Sequence, residues 1–155
     1  MKGWKETSTS SAELYEIISS LASVEVKQSI AVIGSVDQRG EIQPIGGVNE
    51  KIEGFFDICN AIGLTGEQGV IIPSSNIDNL MLKDEVLDAV KEGNFHIYGI
   101  KHIEEGLELL SGLPVGEMDE DGNYPEGSVF YYVNKKIEGY NKALEAGPKN
   151  EKKGQ

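Results

Sequence analysis

Gly46-Gly47-Val48-Asn49-Glu50-Lys51-Ile52-Glu53-Gly54-Phe55 is the stretch on which the fold of this chain turns. Pro44 and the two glycines punctuate the backbone ahead of it, so a helix is expected to start near Gly47 and run to about Ala61. Val48, Ile52, Phe55, Phe56, Cys59 and Ile62 recur at helical spacing and define an apolar face. Lys51 falls on or beside that face, within the first turn or two, near the positive end of the helix dipole. Burial and a positive helix end both disfavour a charged ammonium, and a neutral lysine can act as a general base. The alternative is that its stem lies along apolar surface and its ammonium reaches water.

Upstream, residues 5–11 read as a hydroxyl-rich loop. Ser10 and Glu13 have the spacing of a capping box, which starts a helix at about residue 11 with Leu14, Ile17, Ile18 and Leu21 as its buried stripe. Ser29 to Val36 is a β-branched apolar run expected as one buried strand. Asp37-Gln38-Arg39-Gly40 is a turn, and Glu41 to Ile45 returns as a second strand. Downstream, Gly69 to Pro73 and Phe95 to Tyr98 read as strands, and Asp84 to Glu92, Ile103 to Leu110 and Val129 to Leu144 as helices. The alternation favours an α/β fold, with helices packed on a partly parallel sheet.

The 155 residues suffice for one domain with a core, and 39% apolar with 26% charged residues is an ordinary globular balance. A net charge of −12 argues against nucleic acid and anionic membrane as partners. Cys59 stands alone, so there is no internal disulfide, and its place on the apolar face marks it as a small core residue. No apolar run would span a bilayer and no apolar stretch follows the basic start, so a cytoplasmic location is expected.

Several kinds of chemistry find no support. There is no G-x-G-x-x-G, Walker lysine loop, G-x-S-x-G or H-E-x-x-H. His96 and His102 lack helical metal-ligand spacing and read as structural or surface groups. Asp119-x-Asp121-x-Asn123 imitates the start of a calcium loop. Tyr124 stands where that loop needs glycine, and no glutamate fills the twelfth position. Serine and lysine remain. Ser8 lies just before a helix N-terminus, where free N–H groups can stabilise an oxyanion, and a neutral lysine can activate a serine. Capping alone would also account for the Thr7 to Ser11 cluster.

Three runs carry a resemblance: Ser10 to Tyr15, Gln28 to Val32, and above all Gly40 to Asp57 with its P-I-G-G-V-x-x-K-I-E core. They resemble the Lon protease proteolytic domain, in the Lon-related branch that pairs a protease domain with a divergent ATPase region. The likeness extends over roughly residues 6–130. It implies a serine–lysine dyad with Lys51 as base and Ser8 as nucleophile, at the family's spacing of 43 residues. It implies cleavage of unfolded polypeptide and assembly into a homo-oligomeric ring. No cofactor is implied within the chain, since ATP would act in an ATPase region. The family has several strands before its serine, so the chain is expected to be N-terminally truncated. Residues 1–115 would form a partial proteolytic domain, and 116–155 an acidic loop, a C-terminal helix and a disordered end. Three positions depart from the family pattern. Thr7 replaces aspartate, Thr9 replaces alanine, and Ile33 replaces a threonine whose hydroxyl helps orient the lysine. These departures predict weak or absent peptidase activity in the isolated chain, or a degenerate fragment acting only in association.

Overall fold

The computed structural model describes residues 9–147. Three parallel strands form its central sheet, in the order β2 (Ile30–Val32), β5 (Gly69–Pro73), β6 (His96–Ile100). The middle strand, Gly-Val-Ile-Ile-Pro, is buried along its whole length. An unbroken apolar run is what a parallel strand covered on both faces requires. Its side chains alternate between two cores. Val70 and Ile72 pack with α2 (Val48–Ile62), α3 (Asp84–Lys91) and Phe95. Ile71 packs on the other face with Tyr15 of α1 (Ser11–Ala22) and Leu107 and Leu110 of α4 (Ile103–Ser111). The chain is thus a mixed α/β fold with helices on both faces of a parallel sheet, as the alternation of elements predicts.

A smaller antiparallel sheet has the order β1 (Thr9–Ser10), β3 (Ser35–Val36), β4 (Ile42–Gln43). Its presence corrects the reading of Ser29 to Val36 as one strand. The run divides at Gly34, so β2 and β3 belong to different sheets. Gly34 has φ +145°, a conformation that favours glycine, and a Cβ there would stand 3.3 Å from Pro73 Cγ.

The α1 face also differs from expectation. Tyr15, Ser11 and Ala22 are its buried residues, Leu14, Ile18 and Leu21 are half-buried, and Ile17 is exposed. The stripe rotates because Tyr15 reaches across to α4, where its hydroxyl donates to the Ile103 carbonyl at 3.0 Å. The capping box does not form either, since Ser10 makes no side-chain cap hydrogen bond. The helix predicted after Gly127 is α5 (Val129–Ala146), capped by the Ser128 hydroxyl, which accepts the Tyr131 N–H. Val129 is its only buried residue, while Ile137, Tyr140 and Leu144 are exposed. The Asp119 loop is an Asx turn, with Asp119 Oδ1 accepting N–H groups of Asp121 and Asn123 at 3.0 and 2.7 Å. Among the described residues no helix is long and apolar enough to cross a membrane. Ser8, Thr7 and the end from Glu151 lie outside the described residues.

Candidate functional site

The small sheet brings the two candidate segments together. Thr9 pairs with Val36 and Ser10 with Ser35, while on the far side of β3 these same residues pair with Ile42 and Gln43. One strand therefore separates β1 from β4, a distance of about 10 Å at ordinary strand spacing. Ser8 is the residue before β1, and the placement of Thr9 is the nearest the described structure comes to it. β4 leads through Pro44 and the two glycines into α2. Gly47 has φ +69°, the left-handed conformation that glycine adopts without a Cβ penalty. Its carbonyl accepts the Lys51 N–H at 3.1 Å, closing the first turn of the helix.

Ser11 anchors the serine side. It is buried, and its N–H and its hydroxyl both point to the Gly34 carbonyl, at 3.2 and 3.0 Å. A buried hydroxyl without a partner is costly, so this pair of contacts holds the start of α1 and the strand before it. Sequence reasoning assigned the local hydrogen bonding to Ser10 and missed Ser11. Gly34, the partner, lies 23 residues away and leaves no local signal.

Lys51 is exposed, and among the described residues its side chain has no hydrogen bond or ion pair. Of the two sequence readings, the open, hydrated one applies to this chain. The helix explains why. Val48, Ile52, Phe56 and Cys59 are its buried residues, and Lys51 lies about a quarter turn from the centre of that face at roughly 100° per residue. Ile33 continues β2 by donating its N–H to the Ile71 carbonyl at 2.9 Å. Its side chain is half-buried against the core beneath α2, so it packs as a hydrophobe.

The histidines stand apart from these segments. His96 Nε2–H donates to the Gly66 carbonyl at 2.7 Å, and its ring stacks on Tyr98 at 5.9 Å. It lines a cavity of about 440 Å³ with Lys27, Ser29, Gly66 and Tyr98, at the amino ends of the parallel strands. The candidate segments gather instead near the carboxyl ends, beyond Ile33 and Pro73, where open α/β sheets usually place their sites. His102 is exposed. Among the described residues no cluster of three histidine, cysteine or acidic side chains could hold a metal ion.

Comparison with known proteins identifies a family. Residues 7–111 match the family model of the Lon protease C-terminal proteolytic domain. A Lon protease homolog of Haemophilus influenzae is 47% identical over 93 residues, 59% of this chain and 15% of that protein. One from Escherichia coli is 55% identical over 106 residues, 68% of this chain and 18% of that protein. The chain thus matches less than a fifth of the length of either relative.

Proposed function

Because the chain belongs to the Lon protease C-terminal proteolytic domain family, we propose that it is a serine peptidase domain that cleaves unfolded polypeptide through Ser8 and Lys51. In this reaction the neutral Lys51 amine takes the Ser8 hydroxyl proton as Oγ bonds to the scissile carbonyl carbon. The resulting oxyanion collapses, the C–N bond breaks, and the leaving amine takes the proton back. Water then attacks the acyl-serine ester and loses a proton to Lys51, the C–Oγ bond breaks as the carboxyl product leaves, and Ser8 Oγ takes that proton from Lys51, restoring both groups. The observation that carries this reading is the small sheet, which sets the strand after Ser8 one strand away from the segment that opens the Lys51 helix.

Burial is what favours a neutral amine, and Lys51 is exposed in this chain. Slow turnover is therefore expected of the isolated chain, with full activity dependent on surrounding protein. ATP dependence belongs to the same proposal and requires an ATPase region outside this sequence. We place the protein in the cytoplasm, consistent with a lone buried cysteine. The test is incubation with casein and, separately, with a fluorophosphonate probe. Labelling at Ser8 that disappears in both Ser8→Ala and Lys51→Ala supports the dyad. Labelling unaffected by Lys51→Ala, or no labelling of Ser8, overturns it in favour of a degenerate, non-catalytic domain.

Self-association is the second part of the proposal. Ile62 is 81% exposed and Ile58 59% on α2, and Leu144 is 79% and Tyr140 53% exposed on α5. Such residues in patches mark surfaces that meet other protein. Sedimentation at increasing concentration should show species larger than a monomer. A clean monomer at high concentration would count against the association.

A further inference from the structure

Asn76 is one of three buried polar side chains among the described residues, and both polar atoms of its carboxamide are hydrogen-bonded. Its Oδ1 accepts the Ile45 N–H at 3.1 Å, and its Nδ2–H donates to the Ile45 carbonyl at 2.9 Å. The side chain imitates one rung of a β-ladder at the point where β4 has ended and the chain bends toward α2. Asn76 belongs to a 3-10 helix, Ser74–Asn79, that follows β5 directly.

That helix is itself held on the sheet. Ile77 lies so close over Gly99 of β6 that a Cβ at Gly99 would overlap Ile77 Cδ1. Two further contacts run from the following segment to α2. Asn49 Oδ1 accepts the Met81 N–H at 2.9 Å, and Glu53 Oε1 accepts the Lys83 N–H at 3.2 Å. Position is thus passed from the parallel sheet to the 3-10 helix, from there to Ile45, and through Gly46 and Gly47 to the first turn of α2. A Cβ at Gly46 would meet nothing within 4 Å, so Gly46 itself adds no packing at this bend, while the Ile45 side chain lies half-buried against the core beneath α2. The Asn76 pair of hydrogen bonds fixes the Ile45 backbone there.

We infer that Asn76 is a positioning residue for the peptidase site: it holds the Ile45 backbone and so sets where the Lys51 helix begins. The inference rests on the peptidase reading only for the consequence to catalysis. The placement of Lys51 can be measured without it.

Asn76→Asp is the informative variant because it is nearly isosteric. Ionised, it sets a carboxylate oxygen against the Ile45 carbonyl oxygen and removes the donor. Protonated, it can donate an O–H to that carbonyl again. A buried aspartate facing a carbonyl protonates well above the usual carboxylate range, so the donor should return by about pH 5. The measurement is amide hydrogen exchange and chemical shift at Ile45 to Lys51, each compared with wild type at the same pH. At pH 7.5, exchange at these amides should rise about 10- to 100-fold in Asn76→Asp while α4 amides stay as in wild type. At pH 5 the difference should largely close. Asn76→Ala should loosen the same amides at both pH values, since it has no donor to recover.

Wild-type behaviour of Ile45 to Lys51 in Asn76→Asp at pH 7.5 would overturn the inference. So would equal loosening of the Asp and Ala variants at pH 5, which would mark a merely space-filling role. Should Asn76→Asp fail to fold at neutral pH, the comparison of the two variants at pH 5 still decides. In protein whose Ser8 takes the probe, Asn76→Asp should slow labelling about 10- to 100-fold at pH 7.5. Absence of Ser8 labelling in wild type sinks the peptidase reading and leaves the amide result standing, so the two failures are distinguishable.

Discussion

A Phe95→Ala protein is expected to lose about 3–5 kcal/mol of folding stability, the usual cost of removing a large aromatic ring from a core. Phe95 is fully buried between the parallel sheet and α2. Its ring meets Phe56 edge-on at 5.3 Å and Phe55 at a tilt at 6.3 Å, and both partners belong to α2. The cavity would therefore open directly beneath the helix that carries Lys51. Domains of this size are commonly stable by about 5–15 kcal/mol, so the loss is a large share of the total. A midpoint drop of roughly 10 °C should follow at about 2–4 °C per kcal/mol. Phe95→Leu keeps most of the volume and should cost under about 1.5–2 kcal/mol. Thermal and urea unfolding followed by circular dichroism measure both. A Phe95→Ala loss below about 1 kcal/mol would mean that the ring is not what holds α2 on the sheet. The same variant should also weaken any Ser8 labelling below its melting point, because a helix that can shift no longer presents Lys51 at a fixed place.

Gly106→Ala should destabilise the protein by about 2–4 kcal/mol, against what its helical position alone would suggest. Glycine in a helix interior is worse than alanine by about 1 kcal/mol, so propensity predicts a gain. Packing predicts the reverse. Gly106 is buried in α4, and a Cβ there would overlap the Tyr15 hydroxyl oxygen and stand 2.5 Å from Tyr15 Cζ. Tyr15 cannot swing aside cheaply, since it fills the first core and its hydroxyl donates to the Ile103 carbonyl. Burial, with smaller contributions from Glu104 and Glu105, raises the Tyr15 ionisation well above its ordinary value. The hydroxyl therefore remains a neutral donor across the whole working pH range. Overpacking costs about 1–3 kcal/mol and a broken buried hydrogen bond about 1–3 more, which together outweigh the propensity gain. A double-mutant cycle with Tyr15→Phe is the test. The double variant should be less destabilised than the sum of the singles, because removing the oxygen relieves part of the clash. A Gly106→Ala protein that melts at or above wild type would show that the α1–α4 contact is looser than this geometry.

Both substitutions act on features that separate what local sequence can say from what it cannot. The all-apolar Gly69 to Pro73 run implies a strand covered on both faces, and β5 is that strand. The spacing of Val48, Ile52, Phe55, Phe56, Cys59 and Ile62 marks the apolar face of α2, of which Val48, Ile52, Phe56 and Cys59 are buried and Phe55 half-buried, while Ile62 at the helix end is exposed, and the two glycines before it mark its start. These patterns are local because helix and strand periodicities are properties of the backbone itself. The resemblance carried by the P-I-G-G run singled out Lys51, yet the sequence left open whether its side chain is buried or exposed.

That choice, and others like it, needed partners far along the chain. The division of Ser29 to Val36 between two sheets depends on Pro73 and Ile42 crowding Gly34. The rotation of the α1 stripe onto Tyr15 depends on a carbonyl 88 residues away. Ser11 and Asn76 look like ordinary loop or turn residues until Gly34 and Ile45 are brought beside them, over separations of 23 and 31 residues. A short polar side chain makes the same kinds of hydrogen bond in a solvated turn as in a buried clamp, so composition and periodicity do not distinguish the two. Only burial does, and burial is decided by how the helices close over the sheet.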